Sequence, residues 1–387
     1  MFQPPTTLLH HTFEHTARRS PERCALVCKE GRYTYERIAR DARRLAAFLQ
    51  HRGVTRGDRV ALFLDNTPEM ITAIYAVLAI GGIFIPINPL TKKEKLAYFI
   101  QDTQPSALIS HAHLHEVFEP VFAASSVQTC ILTGDAPAGI PWEAALAHPG
   151  EVVDPATIDQ DLAAIIYTSG STGAPKGIML SHRNMLTAQA SVSSYLGLGE
   201  DDIILCALPL AFDYGLYQIL MGFMLGARIV LERSFVFPVK ALELMAKEKV
   251  TVFPGVPTMF ALLSNLDLSR YDLKSLRMIT NTAAALSEHQ IRDLRRLFPQ
   301  ARLFSMYGLS ECKRVTYLPP EQLDIRPLSV GRGMPNEEVY LVDEQGNRLP
   351  NGHTGQLVIR GSHVMRGYWG KPEETANDIG EYLKTNC

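Results

Sequence analysis

The sequence predicts an α/β fold in which layered, mostly parallel sheets are packed against helices and are followed by a small β subdomain. Three observations support this fold class. Up to residue 326, short apolar stretches typical of buried strands alternate with helical stretches. The alternation has no fixed-period repeat. Beyond residue 327 the chain changes to glycine-punctuated stretches with strand character.

The elements of the first part follow from their hydrophobic patterns. An amphipathic helix is predicted at residues 35–51, a strand at 59–64 and a helix from Pro68. The apolar run that follows is shorter than the ~20 residues needed to cross a bilayer, and Gly81 and Gly82 divide it. We therefore expect a buried helix, a glycine stop and a strand. Further strands are predicted at residues 107–110, 163–168, 202–207, 228–231, 250–253 and 276–280.

These patterns suggest how the chain is divided. Residues 1–160 and 161–326 are predicted to form two similar α/β subdomains. Residues 327–384 are predicted to form a small antiparallel or barrel-like β subdomain. The chain then stops without a closing helix or a tail of disordered composition, so we expect a truncated protein.

The composition excludes some classes of partner. The chain has 38 Lys and Arg against 40 Asp and Glu, and this balance provides no field that would gather nucleic acid or an anionic membrane. A small molecule, bound locally, is the expected partner. Six scattered cysteines and the lack of a signal-peptide pattern favour free thiols in a reducing cytoplasm. The alternating His111, His113 and His115 are interpreted as solvated.

A segment rich in glycine and hydroxyl groups, YTSGSTGAPKG at residues 167–177, lies between a predicted strand and a helical stretch. Gly170 and Gly173 allow the backbone to approach a phosphate closely, and Lys176 supplies a positive charge. The hydroxyl groups that can donate to the phosphate belong to Thr168, Ser169, Ser171 and Thr172. Because Pro175 stands where a Walker A loop has glycine, this is a different kind of triphosphate loop. The alternative is a flexible surface loop.

This loop resembles the phosphate loop of the adenylate-forming superfamily, which includes acyl-CoA synthetases, luciferases and peptide-synthetase adenylation domains. YGLSE at residues 307–311 and the segment 355–370 resemble two further motifs, in the family's order, and residues 34–89 are similar to its opening. The resemblance implies that residues 1–384 are the large N-terminal AMP-binding domain and 385–387 the start of a hinge. It also implies that the small C-terminal domain is absent.

The family's reaction is attack of a carboxylate on the α-phosphate of ATP, which gives an acyl-adenylate and pyrophosphate. The acyl group then passes to a thiol of CoA, or to phosphopantetheine on an acyl or peptidyl carrier protein. By resemblance Lys176, Ser310 and Glu311 are catalytic, and Glu311 and Thr172 hold Mg²⁺, for which carboxylates are suitable ligands. Weak activity is expected without the C-terminal domain. The alternative is a non-catalytic nucleotide-binding module.

The resemblance also implies a nucleotide site. Tyr307 packs against adenine, Ser310 contacts the α-phosphate, and the segment 280–287 lies along the base. This segment could instead be the alanine-rich start of a helix. The implied nucleotide-binding residues are Thr168, Ser169, Gly170, Ser171, Thr172, Gly173, Lys176, Thr282, Ala283, Ala284, Tyr307 and Ser310.

The acyl pocket is expected beside residues 208–218, which resemble the family's aromatic motif. Its Phe212-Asp213 pair looks like that of amino-acid-activating members, where the aspartate pairs with the substrate's amino group. Asp213 could instead cap a helix that starts at Tyr214, and the activated acid could be a fatty acid or another acyl acid. The expected pocket residues are Phe212, Asp213, Leu216, Val256, Met306 and Gly308, although such apolar residues are often core residues.

Two further positions are interpreted as structural. The cations Lys313 and Arg314, directly after Cys312, are expected to solvate a loop, or alternatively to assist a phosphopantetheine partner. His182 is interpreted as a capping residue rather than a catalytic base.

Overall fold

The structure is a computed structural model that describes residues 8–135, 138–168, 175–350, 352–379 and 383–386. Over these ranges it contains twelve α-helices. The helices are α1 Leu9–Arg19, α2 Tyr35–His51, α3 Pro68–Ala79, α4 Lys93–Thr103, α5 His115–Ala123, α6 Trp142–Leu146, α7 His182–Leu196, α8 Asp213–Leu225, α9 Pro238–Glu248, α10 Pro257–Leu263, α11 Glu288–Leu297 and α12 Pro372–Asp378.

The same ranges contain twenty strands. The first ten are β1 Cys24–Cys28, β2 Gly31–Thr34, β3 Arg59–Phe63, β4 Ile83–Ile87, β5 Ala107–His111, β6 Thr129–Thr133, β7 Ile140–Pro141, β8 Leu162–Thr168, β9 Lys176–Ser181 and β10 Ile203–Cys206. The others are β11 Arg228–Leu231, β12 Val252–Gly255, β13 Met278–Asn281, β14 Arg302–Tyr307, β15 Thr316–Leu318, β16 Arg332–Gly333, β17 Glu337–Val342, β18 Gln356–Gly361, β19 Gly367–Tyr368 and β20 Leu383–Asn386.

The strands form two large mixed sheets, which confirms the predicted fold class. An eight-stranded sheet has the order β19-β9-β8-β4-β3-β5-β6-β7, and only its β19-β9 and β9-β8 pairs are antiparallel. A nine-stranded sheet has the order β16-β15-β14-β13-β12-β10-β11-β1-β2, with a parallel centre and antiparallel edges. Helices cover the faces of such parallel sheets, and strand β4 is accordingly buried at every residue.

Each large sheet contains strands from before and after residue 160, the predicted boundary between the two α/β subdomains. Strands β1 and β2 join the nine-stranded sheet through the parallel pair β1-β11, whereas β8 and β9 lie in the eight-stranded sheet. The division into subdomains stays a prediction. Near the end of the chain, β17, β18 and β20 form a three-stranded antiparallel sheet. This corresponds to the antiparallel form of the expected β subdomain.

Local sequence signals explain the first helices. Helix α2 begins after Thr34, whose side chain accepts a hydrogen bond from the Arg37 amide, and it has the predicted bounds. Helix α3 begins at Pro68 as predicted and is buried along most of its length. The backbone at Gly81 has a φ of +67°, which favours glycine, and strand β4 follows. The predicted order of helix, glycine stop and strand is confirmed.

A central aromatic cluster packs the helices between the sheets. Phe13 on α1, Tyr75 on α3 and Phe223 on α8 stack closely, with ring centroids 4.3 to 5.9 Å apart. Tyr35 lies against the cluster and donates a hydrogen bond to the Ala227 carbonyl at 2.6 Å. Both sheets contribute residues to this one core. None of the helices described is long and apolar enough to cross a membrane.

Candidate functional site

A cavity of about 460 Å³ opens where strands from both large sheets end. Strand β8 ends at Thr168, β13 directly before Thr282 and β14 directly before Gly308. Carboxyl ends of strands in open α/β sheets are common ligand sites. The residues that line the cavity are Thr168, Asp213, Tyr214, Thr282, Ala283, Gly308, Leu309, Ser310, Glu311, Lys313 and Arg314.

The predicted phosphate loop connects two antiparallel strands. Thr168 at the end of β8 and Lys176 at the start of β9 are register partners, so the two ends of the loop lie side by side. A strand, and not the helical stretch expected from the sequence, follows the loop. The predicted phosphate-binding residues Ser169, Gly170, Ser171, Thr172 and Gly173 lie outside the described residues, and their roles stay predictions.

Lys176 is held by an acidic residue of helix α12. Its Nζ lies 2.7 Å from Glu374 Oε2 and 4.7 Å from the ring centroid of Tyr368. The hydrogen bond with Glu374 is the main cause that raises the pKa of Lys176. The lysine is therefore cationic, and Glu374 orients it.

Tyr368 brings Lys176 and Glu311 to one place. Its hydroxyl lies 3.1 Å from Glu311 Oε1 and 3.0 Å from Asp378 Oδ2. Burial, followed by the charge of Glu311, raises the pKa of Tyr368. The hydroxyl therefore keeps its proton, and it can donate a hydrogen bond to only one of the two carboxylates at a time. Sequence reasoning located the Gly-Tyr element that contains Tyr368 but assigned no role to the side chain.

Glu311 fits a magnesium site that is completed by phosphate oxygens. It lines the cavity, and its backbone carbonyl accepts a hydrogen bond from the Met365 amide at 2.7 Å. Mg²⁺ is usually bound by one or two carboxylates together with substrate phosphates. No group of three or more His, Cys, Asp or Glu among the described residues could hold a metal. Glu311 therefore fits the ion as a single carboxylate ligand, while Thr172, the other predicted ligand, lies outside the described residues.

The turn after β14 brings charged residues to the cavity. A Cβ at Gly308 would lie 2.7 Å from the Lys313 carbonyl oxygen, so only glycine permits this close approach. The Val315 amide donates to the Tyr307 carbonyl at 3.0 Å and closes the turn. Lys313 itself has a φ of +65°, which is unusual for a residue with a side chain. The tight turn brings Glu311, Lys313 and Arg314 to the cavity.

Asp213 pairs with a cation of this turn. Lys313 Nζ lies 3.6 Å from Asp213 Oδ2 and donates to the Asp213 carbonyl at 2.9 Å. Burial lowers the pKa of Lys313 to about 7, although the charge of Asp213 opposes this shift. Helix α8 starts at Asp213 itself, and its N-cap, Phe212, makes no side-chain capping bond. The interpretation of Asp213 as a cap of a helix starting at Tyr214 is therefore wrong.

Arg314 is buried beside this pair. Arg314 is 2% exposed, and its guanidinium carbon lies 5.3 Å from the ring centroid of Tyr214. A hydrogen bond links it to Tyr195, but its Nε has no hydrogen-bond partner and no described carboxylate forms an ion pair with it. Lys313 is 3% exposed. The expectation that these two cations solvate a loop is wrong.

The predicted adenine segment lies partly at the cavity. Thr282 and Ala283 line it, whereas Ala284 is exposed and its carbonyl accepts a hydrogen bond from Asn281 Nδ2 at 2.9 Å. The alternative of a helix start does not hold for these residues, because α11 begins only at Glu288. Whether they contact adenine stays a prediction.

Several predicted pocket residues lie elsewhere. Leu216 and Met306 are buried in the core that contains the central aromatic cluster, and Val256 packs against a separate hydrophobic core that includes Phe253 and Phe260. Phe212 is 46% exposed, while Gly308 lines the cavity. The core alternative therefore describes Leu216 and Met306 better than the pocket interpretation.

The structure bears on two histidine predictions. His182 Nδ1 accepts a hydrogen bond from the Leu9 amide at 3.1 Å, at the start of α1. The N-cap of α7 is Ser181 and His182 is the first residue of that helix, so the capping interpretation is wrong, although the contact with Leu9 is a structural one. His111 is buried and accepts a hydrogen bond from the Asp65 amide, so its expected solvation is wrong, whereas the His113 side chain is 59% exposed.

Comparison with known proteins identifies the family. The sequence pattern of the family described as AMP-binding enzyme matches residues 13–369. The chain belongs to the AMP-binding enzymes. The predicted membership in the adenylate-forming superfamily is thereby confirmed.

Relatives of this AMP-binding enzyme differ in length. The chain is 31% identical to tyrocidine synthase 3 of Brevibacillus parabrevis, covering 95% of this chain but 6% of that protein. It is 30% identical to a long-chain-fatty-acid–CoA ligase of Bacillus subtilis, covering 96% of this chain and 72% of the ligase. Among solved structures, VinN in complex with L-aspartate is 31% identical, with a TM-score of 0.85 over 98% of this chain and 94% of VinN.

Proposed function

We propose that this AMP-binding enzyme activates a carboxylic acid with ATP, forming an acyl-adenylate and releasing pyrophosphate. The acyl group would then pass to the thiol of CoA or of phosphopantetheine on a carrier protein. One observation carries the proposal: Lys176 and Glu311, from distant motifs, meet at the Tyr368 side chain. A cation and a hard oxygen ligand at one place suit a metal-bound triphosphate.

Each residue at or near the cavity would have its own role in this reaction. Lys176 would bind phosphate oxygens, and Ser310 would donate to the α-phosphate that the substrate carboxylate attacks. Glu311 would hold Mg²⁺, which offsets the negative charge that builds as pyrophosphate leaves. Tyr307, Thr282 and Ala283 would contact the nucleoside. Catalysis in such a site comes mainly from positioning and charge stabilisation.

Both classes of acid have support among the relatives. A long-chain-fatty-acid–CoA ligase supports an acyl acid, and VinN bound to L-aspartate supports an amino acid. In this chain Asp213 already has Lys313 as a partner, so a substrate ammonium group would have to share that carboxylate. A cytoplasmic location is part of the same proposal and is supported by the scattered cysteines, of which the five described are free.

Calorimetry can test the nucleotide site. The chain is titrated with α,β-methylene-ATP and Mg²⁺, and Lys176→Ala and Glu311→Ala are expected to bind about 10- to 100-fold more weakly, the value of one charged hydrogen bond. Lys247→Ala, at an exposed lysine of α9, is the matched control and is expected to bind as the wild type does. A wild-type chain that binds no nucleotide, or variants that bind as tightly as the control, would contradict the proposal.

Pyrophosphate exchange with a panel of acids tests the activity itself. Exchange above background rejects the alternative of a non-catalytic binding module. Nucleotide binding without exchange for any acid would favour that module. The exchange rates also show whether fatty acids, other acyl acids or amino acids are the preferred substrates.

A further inference from the structure

One positively charged side chain that lines the cavity has no carboxylate partner among the described residues. Its charged lining residues are Asp213, Glu311, Lys313 and Arg314. Glu311 faces Tyr368 and is the proposed metal ligand, while Asp213 and Lys313 form an ion pair. Arg314 is the remaining charge.

The contacts of Arg314 do not neutralise it. The guanidinium meets two neutral tyrosines, Tyr195 by a hydrogen bond and the face of Tyr214 at 5.3 Å. Its buried Nε has no hydrogen-bond partner. An arginine cannot lose its proton to relieve this burial. A buried charge without an opposite charge is costly, so a bound anion would be strongly favoured beside it.

From this we infer that the acid activated here carries a second carboxylate, which Arg314 binds. The inference rests on the proposed function, because it concerns the end of the substrate that does not react. The planar fork of a guanidinium matches a carboxylate through two parallel hydrogen bonds. A cavity of about 460 Å³ that must also admit nucleotide phosphates favours a short dicarboxylic acid.

The neighbours of Arg314 place it on the acid side rather than the phosphate side. It lies against Tyr214 on α8 and Tyr195 on α7, and the adjacent Lys313 contacts Asp213, also on α8. The proposed phosphate cation, Lys176, has a different set of contacts, Glu374 and Tyr368. Arg314 and Lys176 therefore have separate environments, as expected if they bind the two ends of an acyl-adenylate.

A matched pair of four-carbon acids tests the inference. Succinate and butanoate are titrated by calorimetry into the 387-residue chain saturated with α,β-methylene-ATP and Mg²⁺. Because a charged hydrogen bond changes an affinity by about 10- to 100-fold, we expect the wild type to prefer succinate by at least 10-fold. Arg314→Gln is expected to remove the preference, and Arg314→Lys to retain part of it. Arg292→Gln, at an exposed residue of α11, is expected to retain all of it.

Each result supports or overturns the inference. A wild-type chain that binds the nucleotide and both acids equally overturns it but leaves the proposed function intact. The same holds if Arg314→Gln weakens nucleotide binding and leaves the acid preference unchanged, since the arginine would then serve a phosphate. Failure to bind the nucleotide at all overturns both. Because the wild-type comparison needs no variant, a folding defect in Arg314→Gln would not protect the inference.

Discussion

Replacing Gly215 by alanine tests how tightly the start of helix α8 is fixed. An ideal Cβ at Gly215 would lie 2.3 Å from the Pro209 carbonyl oxygen and 2.6 Å from that of Leu208. Real Cβ atoms essentially never approach another heavy atom within 3.0 Å, so the backbone would have to separate by at least about 0.7 Å. The first turn of α8 carries Asp213, and its shift would also disturb the pair with Lys313.

The expected loss of stability follows from this overlap. Overpacking a rigid core costs about 1–3 kcal/mol, and here both obstructing atoms belong to the backbone, so we expect the upper end of that range. Gly199 provides the control, because a Cβ there meets no atom within 4 Å and its φ is not in the left-handed region. Gly199→Ala is expected to be neutral or to stabilise by up to about 1 kcal/mol.

Urea unfolding followed by circular dichroism and by tryptophan fluorescence measures both variants. A midpoint shift at unchanged slope reports a change in stability. If the free energies of unfolding of Gly215→Ala and Gly199→Ala differ by less than about 0.5 kcal/mol, the close approach of α8 to the loop that joins it to β10 does not constrain the stability as argued.

Three further predictions follow from described contacts. Burial lowers the pKa of His182 to about 4, so its protonation opposes folding and stability should fall by up to ~1.4 kcal/mol per pH unit as the pH drops from 6.5 to 4; His182→Gln should flatten this part of the stability profile, and an unchanged profile would contradict the assignment. Thr34→Ala should cost about 1 kcal/mol in urea unfolding through loss of the α2 cap, while Thr34→Ser should be nearly neutral; equal stability of all three proteins would exclude the cap as a stabilising contact. Glu337→Ala should cost about 1–3 kcal/mol because it removes the buried carboxylate that accepts a hydrogen bond from the Met334 amide at 2.8 Å and faces His363 at 3.1 Å, whereas the neighbouring Glu338→Ala, which loses only exposed ion pairs, should cost less than about 1 kcal/mol; similar midpoints for the two variants would refute the importance of the buried carboxylate.

Local sequence patterns predicted most of the elements but not their assembly. The bounds of α2 and β11 are those predicted, because periodicity and capping residues act within a few positions. Strands β1 and β2 were not predicted, and neither was the place of β1 beside β11. Pairing between strands so distant in sequence depends on tertiary contacts, which a local pattern does not contain.

The site was predictable where its chemistry lies in short motifs. The motifs located Lys176 and Glu311, and the structure brings both to Tyr368. The burial of Lys313 and Arg314 was missed, because charged loop residues are usually solvated and only the close turn at Gly308 brings them inside.

The contact between Lys176 and Glu374 has a consequence for any anion that binds this lysine. Because Glu374 already pairs with the lysine, an incoming anion would have to compete with this carboxylate. A chloride ion gains little from such an exchange, since it brings no more charge than the carboxylate it displaces. A triphosphate would bring several charges and would reach other donors as well. If Lys176 binds nucleotide phosphates as proposed, its contact with helix α12 would favour them over small monovalent anions.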